Sequence, residues 1–297
     1  MLYLTSDINQ YEGEGVGSRI QSSIACELMA NYLGINFYET ELSNLYHRPE
    51  HLTDSEFCKS LNDIFFKGNK SIEFDEIVDI NIPIAPAGFD SLRDISEEWK
   101  DRDTNNLFRI GLNEAGNFLT RSEILAKKTD LSRIKLKSLS DKVVVAIHMR
   151  VYNKFDTDWT HLRNYYIQET YMERYYINII KQLEESIGKD NIEFHIHTQE
   201  GFMDESKTKP INFDNIKNEN VKFYIDSPLD ETILHLVNSD ILVMSCSSMS
   251  YICYLLRKKI SIVRSDFWFK TTDDCFRLNN SGDMDKTMME KIINENS

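Results

Sequence analysis

Val143-Val144-Val145-Ala146-Ile147-His148 is apolar up to its last position, and four of the six side chains branch at Cβ. A run this short and this rich in branched residues reads as a strand buried on both faces, which is what a parallel sheet provides. The chain beyond it keeps alternating. A helix is predicted from about Asn164 to Glu185, where Ile167, Tyr171, Tyr175, Ile179 and Leu183 recur at helical spacing. Ile192 to His197 reads as strand, a polar helical region follows, and Val221 to Ile225 is the next strand. Leu229 to Val237 reads as helix, Ile241 to Met244 as strand, Ser247 to Arg257 as helix and Ile260 to Val263 as strand. Such alternation predicts a doubly wound α/β fold, with ligands at the carboxyl ends of its strands.

The first half is less regular. Leu2 to Thr5 reads as strand, and Glu12-Gly13-Glu14-Gly15-Val16-Gly17 is a loop before a helix carrying Ile20, Ile24, Leu28, Met29 and Tyr32. Ile35 to Tyr38 resembles a second strand. The polar stretch Asp101-Arg102-Asp103-Thr104-Asn105-Asn106 reads as a connection, with helical segments from there to Ser140. The expected division is therefore two domains, residues 1–140 and 141–297.

Composition removes several function classes. The 297 residues are 41% hydrophobic and 28% charged, a globular balance, and the formal net charge is −14. So acidic a surface opposes nucleic acid and anionic membranes but leaves room for one small phosphate ligand held by a few local groups. The amino-terminal residues lack the pattern of a signal peptide, and no apolar run nears the ~20 residues of a membrane span. Cys26, Cys58, Cys246, Cys253 and Cys275 are scattered, so buried reduced thiols and a cytoplasmic location are expected.

Three places carry chemistry. Gly13-Glu14-Gly15-Val16-Gly17-Ser18-Arg19 sits at a strand-to-helix turn, where glycines admit an anion to a helix N-terminus; a turn that needs positive φ explains the same residues. His148 and Arg150 end the clearest strand and share one side of it by the period of two. There the planar fork of Arg150 suits a pyrophosphate, the alternative being a structural ion pair. Ser245-Cys246-Ser247-Ser248-Met249-Ser250 lies between a strand and a helix, and capping needs only one of those hydroxyls. A competing signal is Asp156-Thr157-Asp158, two hard carboxylates suited to a divalent cation. His195 and His197 read as structural histidines, and Tyr165, Tyr166, Tyr171, Tyr175 and Tyr176 as helix packing.

Taken in order, Gly15-Val16-Gly17-Ser18-Arg19-Ile20-Gln21, Ile147-His148-Met149-Arg150 and Asp240 to Tyr251 resemble the fucosyltransferase superfamily of GT-B architecture. That superfamily includes the α1,2-, core α1,6- and protein O-fucosyltransferases. The likeness covers residues 141–265 well and 10–40 loosely. It implies two Rossmann-like domains with the nucleotide-sugar cleft between them, the first on the acceptor side and the second binding the donor. The implied reaction is inverting, metal-independent transfer of fucose from GDP-fucose to a glycan, lipid-linked sugar or protein, with no cofactor. By the same resemblance Arg150 stabilises the departing diphosphate and His148 holds the nucleotide. Ser247, Ser248 and Met249 would face the phosphates. Gly15, Gly17, Ser18, Arg19, Thr198, Glu231, Thr232 and Ser245 would complete the donor site, and Glu14 would take the acceptor proton, with Asp156 and Asp158 as the other candidates. Val151 and Asn153 stand where many members carry a second Arg and an Asp, Ser18 where Asn is frequent, and Thr232 where an Asp reads guanine. These departures keep two further readings open: another nucleotide sugar, and a member that binds a glycan or nucleotide without turnover.

Overall fold

The computed structural model describes residues 1–7, 15–43, 53–66, 72–80, 86–111, 115–130, 137–150, 173–199, 216 and 218–296. They form two units: Met1–Lys135 with Phe269–Thr272, and Leu136–Trp268 with Asp273–Ser297. Each has its own parallel sheet between helices, so both are Rossmann-like.

The first unit runs β1 (Leu2–Asp7), α1 (Val16–Leu33), β2 (Asn36–Phe37), α2 (Asp54–Phe65), β3 (Glu76–Ile80), α3 (Pro86–Trp99), β4 (Asn106–Gly111) and the short α4 (Ser122–Leu125). Its strand order is β2-β1-β4-β3. β1 pairs with β4 from Leu2↔Asn106 to Asp7↔Gly111, and β3 joins β4 from Glu76↔Asn106 to Ile80↔Ile110. α1 buries Ile20, Ile24, Leu28 and Met29, and stops at Gly34, whose φ of 69° is the left-handed geometry that favours glycine. α2 starts in a capping box: the Glu56 N–H donates to Thr53 Oγ1 at 3.3 Å, and the Thr53 N–H to Glu56 Oε2 at 3.0 Å.

β4 corrects the sequence reading. Asn106, read as part of a polar connection, opens a central strand, and helices do not take over until after Gly111. The pattern hid it because Arg109 interrupts Leu107, Phe108 and Ile110. The fork of Arg109 meets Asp79 on the neighbouring strand, with Nε to Oδ1 at 2.6 Å and Nη2 to Oδ2 at 3.0 Å. A paired charge can sit in a strand whose apolar pattern it breaks.

The second unit runs β5 (Val143–His148), α5 (Glu173–Ile187), β6 (Ile192–Thr198), β7 (Val221–Ile225), α6 (Leu229–Asn238), β8 (Ile241–Val243), α7 (Ser248–Leu255), β9 (Ser261–Arg264), β10 (Cys275–Leu278) and α8 (Lys286–Asn296). Its strand order is β10-β9-β8-β5-β6-β7, the Rossmann order 3-2-1-4-5-6 when counted from β5. Every strand predicted here forms, with ends shifted by a residue or two. Of the predicted Asn164–Glu185 helix, the part from Glu173 lies among the described residues. One sheet face carries Val145, Ile147, Phe194, Ile196, Val243 and Ile262 into a core with Tyr175, Tyr176, Ile179 and Leu183 of α5 and Ile292 of α8. By the period of two, Ala146, His148, His195 and His197 face the other way, towards α6 and α7.

All five cysteines are buried thiols, none in a disulfide. Among the described residues no helix is long and apolar enough to cross a membrane.

Candidate functional site

The second sheet has one natural crevice. β5 leads through α5 to β6 on one side, while β8 leads through α7 to β9 on the other, so the chain parts between β5 and β8. Carboxyl ends at such a switch point are where open α/β sheets bind ligands. His148 and Arg150 sit at the end of β5, Thr198 and Gln199 at the end of β6, and Ser245 to Ser248 in the turn after β8.

His148 is the hub of this crevice. Its Nδ1 lies 2.5 Å from Ser250 Oγ and 3.0 Å from Ser245 Oγ, and the Ser245 N–H donates to Ser250 Oγ at 3.3 Å. Burial, aided by the charge of Arg150 and by His197, pushes the imidazole down to about 3, so it is neutral at physiological pH. Its hydrogen bonds fix the ring and tie the end of β5 to the first turn of α7. Ser250 was quoted in the sequence motif but given no role; its position two residues past Ser248, on the buried side of a helix start, was the available signal.

Ser247 is the N-cap of α7, its Oγ accepting from the Met249 N–H at 3.2 Å. Ser248 and Met249 open the helix half-buried, so this helix start borders the crevice with the positive end of its dipole. Arg150 is half-buried and donates from Nη1 to Gln199 Oε1 at 3.0 Å, a neutral amide that aims the guanidinium. Sequence reasoning missed Gln199 too, because nothing local links it to a residue 49 positions earlier.

The remaining candidates spread more widely. Thr198 is buried, and its carbonyl accepts from the Asp226 N–H at 3.0 Å. Thr232 is buried on α6, whereas Glu231 beside it is exposed. Gly15, Gly17, Ser18 and Arg19 belong to the first unit. There Gly15 caps α1 with no side-chain hydrogen bond, and Arg19 is buried with Nη1 donating to the Ser43 carbonyl at 3.1 Å. Glu14, Asp156 and Asp158 lie outside the described residues, as do Val151, Asn153, Tyr165, Tyr166 and Tyr171.

Next to His148, the histidines of β6 form an aromatic cluster. His195 Nδ1 lies 2.6 Å from His235 Nε2, and His197 stacks on Tyr224 with centroids 4.7 Å apart. Neither ring nitrogen of His197 has a hydrogen-bond partner among the described residues, so packing rather than hydrogen bonding holds that ring. Burial, then His235 and His195, lowers His197 to about 3, and burial, then His195, lowers His235 to about 4.

No family model and no curated protein matches the chain. Solved structures give loose superpositions. The glycosyltransferase GlyE of Streptococcus pneumoniae aligns at TM-score 0.31 and 15% identity over 69% of this chain, which spans 42% of GlyE. POFUT1 in complex with GDP aligns at TM-score 0.43 and 12% identity, over 88% of this chain and 98% of POFUT1. The glycosyltransferase SnogD of Streptomyces nogalater aligns at TM-score 0.35 and 9% identity, over 99% of this chain and 93% of SnogD.

Proposed function

We propose that this chain is a glycosyltransferase whose second unit binds a nucleoside diphosphate sugar at the carboxyl ends of β5 and β8. The observation that carries this is the buried neutral His148 locked to Ser245 and Ser250, which sets the end of β5 against a helix start capped by Ser247. Breaking a glycosidic bond to a diphosphate leaves two negative phosphates, and these must be met by groups already in place. Arg150 offers a planar fork to the phosphate oxygens, and the first N–H groups of α7 add donors that need no reorganisation. His148 stays neutral, so it adds a hydrogen bond rather than a charge.

Within that reading, the donor is GDP-fucose, the transfer inverts the anomeric centre, and no metal is needed because Arg150 and the α7 turn do its work. Glu14 is the proposed base. The sugar leaves the diphosphate as an acceptor hydroxyl attacks its anomeric carbon, and the hydroxyl proton passes to the carboxylate.

A thermal-shift panel with GDP, UDP, CMP and ADP tests the donor, because a ligand that binds only the folded state raises its stability. GDP is expected to stabilise most; a clear preference for UDP would replace fucose with another sugar. Slow release of free fucose from GDP-fucose without an acceptor then separates a working transferase from a protein that only binds nucleotide.

A further inference from the structure

The first unit holds a charged group that the donor site does not use. Asp7 at the end of β1, Arg109 on β4 and Asp79 on β3 come together across three neighbouring strands. Arg109 is clamped by Asp79 through Nε and Nη2, and the bond from Arg109 holds the Asp79 carboxyl below the usual range. Asp7 is different. Its side chain is only 16% exposed, yet among the described residues no hydrogen bond reaches it, and Arg109 Nε stands 3.7 Å from its Oδ2. The face of β1 that bears Asp7 continues into Thr5, buried, with Oγ1 2.8 Å from Thr40 Oγ1.

A mostly buried carboxylate with no donor among the described residues takes its hydrogen bonds from solvent or from a ligand. Asp79 occupies one edge of Arg109, taking Nε and one N–H of Nη2, so the N–H groups of Nη1 and the second N–H of Nη2 are what the guanidinium still has to offer. One cation between two carboxylates leaves the group at −1, which repels phosphates and carboxylates. The fixed guanidinium beside Asp7 disfavours an ammonium, and the described residues contain no set of three or more metal-ligating side chains. A neutral hydroxyl pair fits: one O–H donates to Asp7 while the oxygen of its neighbour accepts from Arg109.

We infer that Asp7 and Arg109 bind adjacent hydroxyls of a sugar, with Asp79 as the residue that positions Arg109. That this sugar is the acceptor rests on the transferase reading; that a sugar binds here does not.

Saturation-transfer NMR on the full chain tests it, with methyl glycosides of glucose, galactose and N-acetylglucosamine as probes. The wild-type protein is expected to saturate at least one of them. Asp7→Asn and Arg109→Gln should each weaken that binding about tenfold, the loss of one charged hydrogen bond. Asp79→Asn should weaken it less, since it frees Arg109 without removing it. The thermal shift caused by GDP should be unchanged in all three, which also shows that each variant folds. No binding by wild type, or equal binding by Asp7→Asn, overturns the proposal. Binding that depends on Asp7 in a protein that none of GDP, UDP, CMP or ADP stabilises would keep this site and remove the transferase reading.

Discussion

The two sheets solve the same packing problem with different chemistry. In the second unit, β6 is buried along all seven residues, and the polar side chains it carries, Glu193, His195 and His197, are buried with it. In the first, charged residues of the strands stay open to solvent: the side chains of Arg109 on β4 and Asp79 on β3 are 37% and 62% exposed. β3 carries acidic residues along an edge, where charge discourages pairing with another chain. The difference teaches that apolar runs mark strands covered on both faces, while a strand open on one face relies on pairs the sequence does not announce.

Acid should separate the units most strongly. All the described histidines lie in the second unit. His148 and His197 stay neutral in the fold down to about 3, and His235 down to about 4, while the unfolded chain takes up protons from about pH 6.5. Their stabilisation is therefore complete above about pH 6.5 and lost as pH falls towards those values. Each fully buried imidazole should cost about 1.4 kcal/mol per pH unit, and the half-buried His235 less. Urea unfolding at pH 7, 6 and 5, read by peptide-resolved hydrogen exchange, should show the second unit losing protection first. Equal loss in both units would erase the contrast.

The next effect is catalytic. Arg150→Ala should remove about 2–4 kcal/mol of transition-state stabilisation, and Lys should rescue it poorly because a point charge lacks the fork. Arg109→Gln, an equal loss of charge in the other unit, should leave nucleotide binding intact. Near-normal turnover by Arg150→Ala would end the assignment of that crevice.

Smaller effects come from the two helix caps. Thr53→Ala and Ser247→Ala should each cost about 1 kcal/mol of stability. Isothermal titration should find GDP affinity reduced only by Ser247→Ala, since α2 has no part in the donor site. If both variants bind GDP like wild type, Ser247 is a cap and nothing more.

The smallest expected effect is none. If Arg150 and the α7 turn neutralise the diphosphate as proposed, initial rates in excess EDTA should match those of the untreated protein. Activity that stops with EDTA and returns with manganese or magnesium would move that task to Asp156 and Asp158.

Sequence legibility follows the same division. β5, β8 and the chemistry at the end of β5 could be read because local pattern and burial coincide there. β4 could not, because the partner that makes Arg109 tolerable lies 30 residues earlier. Boundary errors in α7 have a similar cause. Arg257 is buried beyond the helix, with Nη2 donating to the carbonyls of Ser239 at 2.7 Å and Asp240 at 3.0 Å, so a nonlocal contact replaces the last turn.

The sequence by itself determined where five of the second unit's six strands lie, and that His148, Arg150 and a serine-rich turn mark the ends of two of them. Tertiary structure alone decided that β8 lies beside β5, which sets Ser250 against His148 across 102 residues and makes a crevice of two separate motifs. It also decided that Arg109 answers Asp79 and that Asp7 has no hydrogen-bond donor among the described residues. Periodicity reports whether a segment is covered, because that depends on its own side chains. Which segment does the covering depends on the packing of the whole sheet, and no stretch of the chain carries that information alone.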